Sequence, residues 1–172
     1  MIIKIGDFSG TSVANFDLDN IFTSTYDVYD IKINSIDMVN TTNTSINFQY
    51  LDSSGNPISS STYKRTGTIY NTANDTWNYS DNYSTTFGSA TFIGGAADDT
   101  EGMLDLRIFD PNNSSTYTTA YVEGNGWHTS GFVYITRRAI VEQTAQAVRG
   151  IRLFGDMNFN SVSATVWGYS KS

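Results

Sequence analysis

A chain of 172 residues is long enough for one domain, and at that size about 70% of the unfolded surface is buried on folding, so a core forms without disulfides or metals. The chain is 14% aromatic and 16% charged, carries a net charge of −7, and has one histidine and no cysteine. These values exclude disulfide frameworks, Cys-based metal centres and thiol catalysis, and they argue against a nucleic-acid partner, which needs a clustered Lys/Arg surface.

Ser, Thr and Asn fill the polar positions, and together with the aromatic content they favour a pleated surface over a helix. The opening Met1-Ile2-Ile3-Lys4-Ile5-Gly6-Asp7 lacks a basic segment leading into a long apolar run, and no stretch reaches the length of a membrane span. Residues 1–20, interrupted by Gly6, Gly10, Asn15 and Asn20, are expected as an extended N-terminal arm of a single domain covering 1–172, with Phe8 and Phe16 as contact rings.

Period-2 alternation then marks strands near 28–36 (Tyr29, Ile31, Ile33) and 45–51 (Ile46, Phe48, Tyr50), which are expected to pair with each other. Asp52-Ser53-Ser54-Gly55-Asn56-Pro57 has the chemistry of a turn. A strand from Tyr63 to Tyr70 follows, and 71–86 reads as a long exposed excursion carrying Trp77, Tyr79 and Tyr83. Further strands are expected at 87–93, 102–109, 117–122 and 132–141, with Gly124-Asn125-Gly126 as a turn. Residues 140–149 are where a helical turn could form. Runs at 148–154 and 162–169 around Gly155-Asp156-Met157-Asn158 have the pattern of a closing hairpin. Leu104, Leu106, Ile108, Phe132, Tyr134, Ile151, Leu153 and Val166 lie on the apolar faces of these runs and are the expected core. Eight or more short strands at this spacing predict an antiparallel β-sandwich, jelly-roll-like in topology.

Chemistry-bearing patterns are few. Triad catalysis needs a base, and His128 in Gly126-Trp127-His128-Thr129 is the sole imidazole, with a loop histidine as the competing reading. Two carboxylates drawn from Asp98, Asp99, Glu101, Asp105, Glu123 and Glu142 could serve glycoside hydrolysis, although acidic turn residues more often cap their own backbone. Asp98-Asp99-Thr100-Glu101-Gly102 offers oxygen ligands without the spacing of an EF-hand loop. The Asn-x-Ser/Thr sequons at Asn40, Asn43, Asn74, Asn78, Asn82 and Asn113 are what so Asn/Ser/Thr-rich a chain produces by chance. Arg137-Arg138 places one guanidinium on each face of a strand. No catalytic set, metal site or cofactor follows from these residues. Tyr70, Trp77, Tyr79, Tyr83 and Trp127 are candidate stacking or interface rings.

Val148-Arg149-Gly150-Ile151-Arg152-Leu153-Phe154, followed by Ser163-Ala164-Thr165-Val166-Trp167-Gly168-Tyr169, resembles the ending of small virion structural proteins of tailed bacteriophages, in which a Gly-Ile-Arg strand precedes one closing on aromatic-Gly. Tyr26-Asp27-Val28-Tyr29-Asp30-Ile31-Lys32-Ile33 is similar to the first core strand of the same group. The resemblance covers about a sixth of the chain. It implies a jelly-roll domain made in the host cytoplasm and carried on the virion. Such a domain decorates the capsid or sits on the tail, docks on the major capsid or tail protein, self-associates as a trimer, and performs no turnover. The alternatives it leaves open are a fibre-associated module that binds surface glycans and a glycan-cleaving enzyme.

Overall fold

The alternation and turn chemistry of the chain produce eleven β-strands and no helix among the residues described by the computed structural model, which are 1–38, 43–79, 81–94, 102–128 and 131–170. In chain order the strands are β1 (Ile2–Leu18), β2 (Tyr26–Met38), β3 (Asn43–Leu51), β4 (Tyr63–Asn71), β5 (Thr76–Tyr79), β6 (Asn82–Thr85), β7 (Gly88–Gly94), β8 (Gly102–Phe109), β9 (Thr118–His128), β10 (Phe132–Glu142) and β11 (Gly150–Ser170). Their order in the sheet is β5-β4-β10-β9-β8-β2-β11-β3-β7, with β1 beside β11 and β6 beside β4. No helix among these residues is long and apolar enough to cross a membrane.

The 21-residue β11 organises the fold. On one side it pairs with β1 from Tyr169 down to Ile151; on the other, β2 takes Phe159–Ser170 and β3 takes Gly150–Phe154. Between the pairs Val13↔Phe159 and Asn15↔Phe154 the register slips, and an irregularity of this kind bends a ribbon. The β1–β11 ribbon therefore belongs to two layers, one continuing through β2, β8, β9, β10, β4 and β5, the other through β3 and β7. Because β7 packs against β9 and β10, the curled sheet closes into the antiparallel, jelly-roll-like β-sandwich expected from the sequence.

The core lies between these layers. Tyr29, Ile31 and Ile33 of β2, Ile46, Phe48 and Tyr50 of β3, Leu104, Leu106 and Ile108 of β8, and Ile151, Leu153 and Val166 of β11 are all buried. Phe132 and Tyr134, also expected there, are half-buried: they sit on the inward face at the far end of β10, where their rings pack edge-to-face on each other.

Several local expectations differ from the structure. Strands β2 and β3 do not pair with each other, since both flank β11. The two C-terminal runs form one continuous strand, the Gly155–Asn158 segment being a kink within it and not a hairpin turn. Residues 140–142 complete β10 and no helical turn follows. Residues 2–18 are a strand of the same sheet, paired along β11, and the 71–86 excursion holds β5 and β6, both paired to β4. Strand β9 runs straight through Gly124-Asn125-Gly126; at Gly124 a Cβ would come within 3.0 Å of Thr91 and 3.1 Å of Leu104, so the residue serves close layer packing.

The glycines of the Gly150-Ile151-Arg152 and Trp167-Gly168 stretches have the same use. A Cβ on Gly150 would lie 2.1 Å from the Leu18 carbonyl oxygen, and one on Gly168 would lie 2.6 Å from the Tyr26 ring. Next to Gly150, Ile151 is buried and Arg152 grips Asp17 of β1 with two hydrogen bonds of 2.7 Å. The Gly-Ile-Arg strand is thus the seat of β1.

Candidate functional site

Alternation places odd-numbered residues of β8, β9 and β10 and the even-numbered residues of β2 up to Asn34 on one outward face, since their neighbours in sequence fill the core. Charges on this face are matched across strands. Arg107 donates to both carboxylate oxygens of Asp30 at 2.6 and 2.8 Å, Arg137 donates to Glu123 at 2.9 Å, and Lys32 lies 3.7 Å from Asp105. Tyr169 completes the first cluster: its hydroxyl donates to Asp30, and the Arg107 guanidinium lies over its ring at 5.7 Å. Burial alone would raise the Asp30 pKa, but the hydrogen bonds from Arg107 and Tyr169 and the charge of Arg107 hold it below the usual carboxylate range.

Two adjoining depressions, of about 480 and 280 Å³, lie in this face over β2, β8, β9 and β10, sharing Lys32, Asp105 and Glu123 in their walls. Tyr121 and Trp127, the outward residues towards the two ends of β9, are 44% and 40% exposed. At the neighbouring edge the Tyr70 and Trp77 rings pack at a centroid distance of 5.0 Å, and Tyr79 stands 87% exposed beside them.

The residues singled out in the sequence divide accordingly. Trp77, Tyr79 and Trp127 share the outward face. Phe16 is buried in the core, and Phe8 is half-buried with its ring packed against it. Tyr83 and His128 end up in β6 and β9 respectively. The Asp98-Asp99-Glu101 cluster and the Asn40 sequon lie outside the described residues. Asp105 and Glu123 are cross-strand neighbours on the outward face, each beside its own cation, whereas Glu142 is fully buried and accepts a hydrogen bond from the Thr144 amide at 3.0 Å. Among the described residues no three Asp, Glu or His side chains converge to hold a metal ion. Arg137 and Arg138 do occupy opposite faces, the second wholly inside.

Sequence reasoning missed Tyr121, Asn125 and Ile135 on this face. The signal was the alternation Tyr121, Glu123, Asn125, Trp127, which a turn at 124–126 would have broken.

No family model matches the chain, and no curated protein matches it. Among solved structures, it is similar to a family 7 alginate lyase, A1-II′, in complex with substrate, at 11% identity over 96% of this chain and 78% of that one, with a TM-score of 0.30. A second structure of a polysaccharide lyase of family 7 aligns at 12% identity over 86% of this chain and 66% of that one, with a TM-score of 0.21. Likeness at this level carries no inference about activity.

Proposed function

We propose that the chain is a structural protein of a tailed-phage particle, most simply a capsid decoration protein, that works by docking on the major capsid or tail protein and by self-association as a trimer, without catalytic turnover. The observation that carries this reading is the outer edge of β1. Among the described residues β1 has a strand partner on one side only, and it ends in Ile2 and Ile3, 59% and 39% exposed. An edge of seventeen residues is a template for pairing with another chain. It runs beside β11, whose two motifs carry the resemblance to virion proteins. The Tyr70–Trp77 pair and Tyr79 supply a second contact region, of the rigid aromatic kind on which interface energy concentrates.

The test is to purify particles from the phage that encodes the chain and locate it by mass spectrometry and cryo-electron microscopy. Copies on the shell or tail are expected, and Ile2→Lys with Ile3→Lys, or Trp77→Ala, should lower their occupancy. Absence of the chain from purified particles would overturn the proposal.

A further inference from the structure

We infer that the groove over β9 is a binding site for a neutral oligosaccharide, independent of the β1 edge and of the Tyr70–Trp77 corner. Same-face residues of a strand recur at roughly 6.7 Å, so the outward series Tyr121, Glu123, Asn125, Trp127 spans about 20 Å from one exposed aromatic ring to the other. Between the rings lie a carboxylate and an amide. The two depressions adjoin along this line, with Arg107 and Tyr121 lining one and Asn125 and Arg137 the other. An elongated groove with Tyr121 in one wall, Trp127 standing two residues beyond Asn125 on the same strand face, and planar polar groups between them suits a ligand that is apolar on its ring faces and hydroxylated at its edges.

Charge selects among such ligands. Three carboxylates (Asp30, Asp105 and Glu123) face three cations (Lys32, Arg107 and Arg137), and each is paired within the groove. The local charge sums to zero, and the whole chain is at −7. An anionic glycan would meet no surplus cation and would be repelled at long range. Hydroxyl groups need no counter-charge. A guanidinium has five N–H donors; Arg137 uses one on Glu123, and the remainder suit the vicinal hydroxyls of a sugar. An extended peptide fits less well, because the backbone groups of the floor are already paired on both sides within β8, β9 and β10, leaving no ladder to extend.

The experiment is isothermal titration calorimetry of the full chain with a panel of short neutral hexose oligosaccharides and uronate-containing counterparts. At least one neutral member should bind. Tyr121→Ala and Trp127→Ala should each weaken it roughly tenfold, which corresponds to about 1.4 kcal/mol of stacking, while Trp127→Phe retains most of the affinity. Trp77→Ala, which affects docking, should leave sugar affinity unchanged, so the two proposals fail separately. Melting curves of each variant establish that it is folded. Absence of binding across the neutral panel, preference for the uronates, or equal affinity in folded Tyr121→Ala and Trp127→Ala would each overturn the inference. So would loss of particle incorporation in those two variants with no sugar bound, since the groove would then be a protein interface.

Discussion

Arg138 of β10 donates from one guanidinium nitrogen to both the backbone oxygen of Ser89, at 2.7 Å, and its hydroxyl, at 2.9 Å, although Ser89 belongs to β7 in the opposite layer. Burial, with Arg65 nearby adding like-charge repulsion, lowers the Arg138 pKa to about 10, so the side chain is still cationic at neutral pH. Two residues along, Thr136 donates to Thr91 of β7 at 2.7 Å. Together with the buried bond from the Tyr50 amide of β3 to the Tyr63 hydroxyl of β4, at 2.8 Å, these bonds fix how one layer sits on the other. Arg138→Met keeps the apolar stem and removes the charged donor; it should lower stability by about 1.5–3 kcal/mol in urea unfolding, as for hydrogen bonds to charged groups. Ser89→Ala spares the backbone acceptor and should cost less, about 1 kcal/mol. Equal midpoints for Arg138→Met and wild type would show that the Arg138–Ser89 bonds do not hold the layers together.

The motif glycines give a graded pair of tests. At Gly150 the obstacle is backbone, the Leu18 carbonyl at 2.1 Å, and nothing can rotate away; Gly150→Ala should cost about 3 kcal/mol, the upper part of the usual overpacking range. At Gly168 the obstacle is the Tyr26 ring, a side chain that can move, so Gly168→Ala should cost about 1 kcal/mol. The combination with Tyr26→Ala should be less destabilising than the sum of the two single changes. Strict additivity in that cycle would show that the ring does not sit on Gly168 in solution.

Acid sensitivity should be traceable to Asp30. Its folded pKa lies below the ordinary carboxylate value, which is about 3.9 in an unfolded chain. A group of this kind contributes fully above its unfolded pKa and loses the contribution as pH falls through the folded one. The pairing is half exposed at Arg107, where the side chain is 51% accessible, so its worth at neutral pH is under about 1 kcal/mol. Melting temperature followed from pH 7 downwards should therefore fall below about pH 4, and Asp30→Asn should shallow that limb. An unchanged acid limb in the variant would assign the pH dependence to other carboxylates.

The layers were legible because alternation is a local property. Leu104, Leu106 and Ile108 announce their face without reference to any partner, and Asp52 with Gly55 announces its turn, where Asp52 indeed accepts the amides of Ser54 and Asn56 at 2.8 and 2.9 Å. Pairing was not legible. Nothing within β2 or β3 says that each will lie against β11, because strand order is set by which apolar faces find each other across the whole chain. Glycine was ambiguous for a related reason: a turn and a close approach of two layers both require it, and only the neighbours of Gly124 and Gly168 decide between them. That ambiguity hid the groove, whose floor runs through Asn125. It also split β11 in two, at a kink that Gly155 permits beside Met38, where a Cβ would approach the Met38 methyl to 2.6 Å.

Removing residues 1–20 should abolish the native sheet and not release a dispensable arm. β1 places Phe16 and Leu18 in the core, 5% and 0% exposed, and packs Ile5, Phe8 and Val13 against it. Asp17 and Asp19 bind Arg152 and Arg149 with paired hydrogen bonds of 2.7 Å. Without β1, one side of the 21-residue β11 loses its ladder partner, and unpaired buried backbone groups and an opened core together exceed the roughly 5–15 kcal/mol by which domains are stable. The truncated chain should show no cooperative thermal transition and should bind a hydrophobic dye. Ile2→Lys with Ile3→Lys touches only exposed positions and should melt within about 0.5 kcal/mol of wild type, yet under the proposed self-association through this edge it should sediment as a smaller species than wild type. If the truncated chain instead unfolds cooperatively at the wild-type temperature, β1 is separable from the sandwich, and the β1 edge should be read as a flexible arm.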